Sequence, residues 1–146
     1  MLQTKRVYDP PSRADGRRFL VERLWPRGMK KETLAADAWL KEVAPSTGLR
    51  QWFSHRVERW TEFRRRYEKE LSEHPEAWHV LLQAAAHGTV TLLYSAHDTE
   101  HNAAVVLRDF IARRPRAPRK RAARAASGAG RQTARRTSSL KSRTAR

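Results

Sequence analysis

Four cations crowd the segment VERLWPRGMKK, residues 21–31: Arg23, Arg27, Lys30 and Lys31. Together they can hold a phosphate or a carboxylate, arginine offering a planar fork suited to two parallel hydrogen bonds. The Trp-Pro-Arg-Gly stretch has the chemistry of a stiff turn. Pro26 fixes its own φ and biases Trp25 toward an extended backbone, while Gly28 admits a geometry or a close approach that a side chain would forbid. Arg23, Trp25, Arg27, Gly28 and Lys30 are therefore candidate ligand-binding residues. A structural alternative stands beside this: Arg23 or Arg27 pairs with Glu22, Glu32 or Asp37 and merely pins the loop. Trp25 divides the same way between a pocket wall and core cover, whereas Trp39, Trp52, Trp60 and Trp78 read as packing.

A second polar cluster, HDTEHN, holds His97, Asp98, His101 and Asn102. It offers a carboxylate base, an imidazole acid and an orienting amide. Asp98 and His101 are the candidate catalytic residues, and Asn102 a candidate ligand contact. The structural alternative is that Asp98 or Thr99 N-caps the last helix, with Glu100 in the first turn complementing its dipole. His97 and His101 straddle the expected strand-to-helix boundary and need not share a face, so no metal site is assigned. A helix N-terminus at this point is itself an anion receptor. The sequence holds no Walker pattern, Gly-rich dinucleotide fingerprint or Ser nucleophile elbow, and the cofactor stays unknown.

Strands and helices must alternate to position these loops. TKRVYD begins extended and ends at Pro10-Pro11; ADG turns the chain into RRFLVERLW, where Phe19, Leu20 and Val21 suit a buried strand. ETLAADAWLKEV puts Leu34, Trp39, Leu40 and Val43 on one side of an expected helix ending at Pro45, and Ser46 or Thr47 can cap the following LRQWF. Val57, Trp60, Phe63, Tyr67 and Leu71 recur at helical spacing. EAWHVLLQAAA is a further helix closing at His87-Gly88, TVTLLYSA a buried strand, and TEHNAAVVLRDFIA the last helix. The pattern predicts an α/β fold, a small parallel or mixed sheet with helices packed on it. In such sheets ligands collect at the carboxyl ends of the strands, and both polar clusters leave strand ends.

The chain has 146 residues and a net charge of +16, with no cysteine for disulfide or thiolate chemistry. Residues 113–146 carry 13 Lys and Arg and no Asp or Glu, leaving residues 1–112 with a net charge of only +3. The segment has Leu140 as its one large apolar residue and is expected to be a disordered Arg/Ala-rich basic tail on a single domain, 1–112. Its eleven arginines and eight alanines are also what drift in a GC-rich coding region would leave. Apolar runs such as AAVVL are far below a membrane span, and the start LQTKRVYD has no signal pattern, so a cytoplasmic protein without membrane contact is expected.

Arg6-Val-Tyr, Asp15-Gly16, LVERLWPRGMKKE, WLKEVAPS, LRQWF, W-x-x-F-x-x-x-Y and VTLLYSAHDTEHNAAVVL occur in one order over about residues 2–112. This series resembles the YeaO-like branch of the bacterial family called domain of unknown function 488. The resemblance implies a small α/β protein of Rossmann-like character and a set of characteristic positions rather than a reaction. Glu22 stands where the family's VDRLWPRG carries Asp, one methylene shorter, which argues against a strict metal or proton-transfer role for that carboxylate.

Two functional classes follow. In the first, the domain is an enzyme or binder acting on an anionic small molecule, nucleotide-like ligands included, where the two loops meet. In the second, it is a nucleic-acid-associated module whose tail binds phosphates without reading bases.

Overall fold

The computed structural model describes residues 1–115, so the expected disordered tail lies almost wholly outside the described residues. Four strands, β1 (Leu2–Arg6), β2 (Arg17–Leu20), β3 (Ala38–Trp39) and β4 (Val90–Tyr94), form one sheet in the order β1-β4-β2-β3. Every pairing is parallel. Central β4, VTLLY, is buried along its whole length, as a strand covered on both faces must be.

Alternation along the strands divides the core in two. Phe19, Val21, Val90, Leu92 and Tyr94 face the larger cluster. That cluster is completed by helices α2 (Thr47–Phe53), α3 (Trp60–Glu73), α4 (Pro75–His87) and α5 (Ala103–Ala112). Leu20 and Leu93 point the other way, onto Val7 and onto Leu34 of a single-turn helix, α1 (Lys31–Leu34). On that face Arg18 and Asp15 form a buried ion pair, 2.6 Å apart, joined by Lys5 at 3.0 Å. Arg18 spends its remaining donors on the carbonyls of Leu34 and Ala35.

The strong period from Trp60 to Leu71 is helix α3, with Phe63, Tyr67 and Leu71 buried. Val57 is half exposed and belongs to a preceding 3-10 turn, so the first spacing of three is not part of the helical face. ETLAADAWLKEV is not one helix. The chain leaves α1 at Ala35, whose φ of 52° is left-handed, and Asp37 then accepts the Arg18 amide at 2.7 Å. Pairing with β2 then turns Ala38 and Trp39 into the edge strand β3, so tertiary hydrogen bonding overrides the local period.

Two contacts hold the segment that follows. Tyr67 donates its hydroxyl to the Val43 carbonyl at 2.6 Å, and burial pushes that phenol far up. Ser46 caps α2 through the Leu49 amide, while the Glu70 carboxylate accepts both the Ser46 amide (2.9 Å) and its hydroxyl (2.6 Å). The expected cap is thus present and is itself tied to α3. Among the described residues no helix is long and apolar enough to cross a membrane.

Candidate functional site

The Trp-Pro-Arg-Gly turn is closed by three hydrogen bonds. The Met29 amide donates to the Pro26 carbonyl at 3.3 Å, with Gly28 at φ 74° in the position of the turn that demands a left-handed residue. Trp25 donates its indole N–H to the Met29 carbonyl at 2.6 Å and meets Trp39 edge-on at 5.3 Å. Tyr8 donates its hydroxyl to the Arg27 carbonyl at 3.1 Å. The backbone of Arg27 is therefore held from two sides while its side chain stays exposed.

Beside this turn the ends of β2 and β4 are laced together. The Glu22 carboxylate accepts the Ser95 amide at 2.9 Å and the Ser95 hydroxyl at 2.8 Å. Trp39 donates to the Glu22 carbonyl, fixing the same residue from the β3 side. Arg6 donates to the carbonyls of Ser95 and Ala96, completing the strand-end frame.

Asn102, not Asp98 or Thr99, caps the last helix: its Oδ1 accepts the Val105 amide at 3.0 Å and its Nδ2 donates to the Asp98 carbonyl at 2.8 Å. Asp98 closes the preceding turn, accepting the amides of Glu100 and His101 at 2.9 and 3.0 Å and meeting His101 Nδ1 at 3.0 Å. Those amides, and then the imidazole, hold its carboxyl below the usual range. The His101 ring stands perpendicular to Trp60 at 5.1 Å.

These elements enclose a cleft of about 470 Å³ at the carboxyl edge of the sheet. That is within the roughly 300–1,000 Å³ of small-molecule sites. The β2 turn, the loop from Ala44 through α2, the end of β4 and the first turn of α5 all contribute walls. Of the residues expected from sequence, Arg23, Trp25, Arg27 and Asn102 line it; Gly28, Lys30, Asp98 and His101 do not. Gly28 shapes the turn behind Arg27, and exposed Lys30 precedes α1. Arg23 reaches across to the Ala44 carbonyl at 3.0 Å and lies 3.7 Å from Glu42, which is neither Glu22, Glu32 nor Asp37.

The far wall was not legible as a site. Arg50, Gln51, Ser54 and His55 line the cleft from the end of α2. Ser54 and His55 take left-handed φ values of 47° and 57° in succession, without glycine, a costly pair that the surrounding fold must impose. The signal available was the abrupt end of LRQWF at Ser54-His55, with no helix-stopping glycine or proline. Apolar surface comes from Val21, Leu24, Pro26, Phe53, Phe63 and Ala104, and the Tyr94 phenol, pushed up by burial, stays protonated beside it.

Residues 1–129 match the family model DUF488-N3i, described as the inactive DUF488-N3 subclade. The chain is 48% identical over 110 residues to the uncharacterized protein YeaO of Escherichia coli, covering 75% of this chain and 96% of that one. It is 43% identical over 72 residues to the uncharacterized protein Rv3073c of Mycobacterium tuberculosis, 49% of this chain and 61% of that one. No solved structure matches.

Proposed function

The chain belongs to the YeaO-like proteins of the DUF488 family, and on that premise we propose that it binds a small anion with an apolar body in the strand-end cleft, without catalysing its conversion. The observation that carries this reading is the lining itself: three arginines against one glutamate, set in mainly apolar walls. The glutamate is already spent on Ser95. Among the described residues, the guanidinium groups of Arg27 and Arg50 take part in no ion pair or hydrogen bond, and both residues are exposed and line the cleft.

A binding role suits the polar groups better than a reaction does. Ser95 and Glu22 form a hydroxyl–carboxylate pair with no imidazole to carry the proton onward. His55 lines the cleft, and no hydrogen bond joins it to Ser54 or Ser95. Asp98 serves the α5 turn and does not line the cleft. The subclade's description as inactive agrees with such a site.

The test is a calorimetric titration of the protein with benzoate and with uncharged benzyl alcohol. Benzoate should bind and benzyl alcohol should not, and Arg27→Ala should weaken benzoate binding about tenfold or more, as loss of a charge-assisted hydrogen bond does. Unchanged melting would accompany that loss. Equal binding of the two probes would refute an anion site.

A second reading attaches to residues 113–146, whose 13 basic and no acidic side chains favour polyphosphate binding by counterion release. Binding of duplex DNA that falls steeply between low and physiological salt, and vanishes when the segment is removed, would support it. Salt-insensitive binding would refute it.

A further inference from the structure

Resting on the anion-cleft reading, we infer that the head group it takes is a phosphate monoester dianion rather than a carboxylate or other monoanion, with the organic part against Leu24, Phe53 and Phe63. Charge comes first. Arg23, Arg27 and Arg50 line the cleft against Glu22 alone, an excess of two positive charges. Arg23's acidic neighbour, Glu42, stands 3.7 Å away with 83% of its side chain exposed, so solvent screens most of that offset. Residues 116–146 contain no Asp or Glu side chain to supply further compensation. A carboxylate would neutralise half of this excess; a phosphate monoester, near −2 above its second pKa of about 6, neutralises nearly all of it.

Donor geometry points the same way. A carboxylate is satisfied in one plane by a single arginine fork. Here the lining residues that carry donors come from separate elements: Arg27 from the β2 turn, Arg50 from α2, and Ala103 and Ala104 from the start of α5. The first amides of a helix have no intrahelical acceptor, and Asn102 takes only the Val105 amide. Three tetrahedral oxygens present acceptor positions out of one plane and so use donors arriving from several directions more fully than two coplanar oxygens do. His55, on the same wall as Arg50, adds a further ring nitrogen.

The experiment compares phenyl phosphate with phenyl sulfate, equal in shape and different in charge, by titration calorimetry of the full chain at pH 7.5, with benzoate alongside. Phenyl phosphate should bind about tenfold or more tightly than phenyl sulfate, and Arg50→Ala, which removes one of the excess charges, should cut that preference severalfold while leaving the melting temperature unchanged. Equal affinity for the phosphate and the sulfate would overturn the dianion inference while leaving the anion cleft standing. Binding of none of the three anions would overturn both.

Discussion

Replacing Gly16 and Gly28 separately by alanine separates two reasons for glycine in this fold. Both have positive φ, 63° and 74°, and both enter or leave the strand that carries the cleft's basic turn. A Cβ at Gly16 would lie 2.1 Å from the Thr89 carbonyl oxygen and 2.7 Å from its carbon, whereas one at Gly28 meets nothing within 4 Å. At Gly28 only the φ strain acts, costing about 1 kcal/mol. At Gly16 that strain, about 1–3 kcal/mol, is joined by displacement of backbone. The displaced carbonyl accepts the Arg17 amide at 3.0 Å, the bond that starts β2 beside β4. Losing it adds about 1 kcal/mol, for a total of about 2–4 kcal/mol. At about 4 °C per kcal/mol for a domain of this size, Gly28→Ala should melt about 4 °C low and Gly16→Ala about 8–16 °C low. Urea unfolding at 25 °C, followed by tryptophan fluorescence, gives the same comparison as free energies. Equal destabilisation by the two substitutions would refute the close-approach argument for Gly16.

Three further outcomes follow from the same contacts. Burial alone would raise the Asp15 carboxyl, but Lys5, the Ser12 amide and Arg18 outweigh it and hold it below its ordinary 3.8. A depressed folded-state pKa adds stability above the unfolded value and forfeits it as pH falls through the folded one, so stability should drop below about pH 4 and Asp15→Asn should flatten that drop in urea titrations at pH 2.5–7. Asp98→Asn keeps an acceptor for the Glu100 and His101 amides, so its melting temperature should fall by less than about 4 °C and its benzoate affinity should stay unchanged; a large loss of affinity would return Asp98 to the site. Ending the chain after Pro115 should leave the melting temperature within a few degrees, because both core clusters lie between Leu2 and Ile111.

What could be read from sequence follows the range of the forces involved. Helices α3, α4 and α5 and the buried strand β4 declare themselves, because a repeated apolar face or an unbroken apolar run is a local property. The stretch from Thr33 to Val43 misleads, because Ala38 and Trp39 are recruited as a strand by β2 and Asp37 is held by the distant Arg18 amide. The cap of α5 is not readable locally, because Asp98, Thr99 and Asn102 can each cap a helix, and only the Asn102 bond to Val105 decides. Within the site, Arg23, Trp25, Arg27 and Asn102 were foreseeable as loop residues at strand ends. Arg50 and His55 were not, since nothing in LRQWFSH shows that α2 folds back over those ends, and the Glu22–Ser95 link spans 73 residues of chain.

The most direct measurement is a two-dimensional amide NMR titration of the full chain with phenyl phosphate, followed residue by residue. The largest shifts should fall on Ser54, His55, Ser95, Ala96, Ala103 and Ala104, which surround the cleft at the carboxyl edge of the sheet. Shifts centred instead on Arg17, Gln83, His87 and Thr89, around the smaller depression at the opposite edge, or on residues 116–146, would contradict a strand-end anion site.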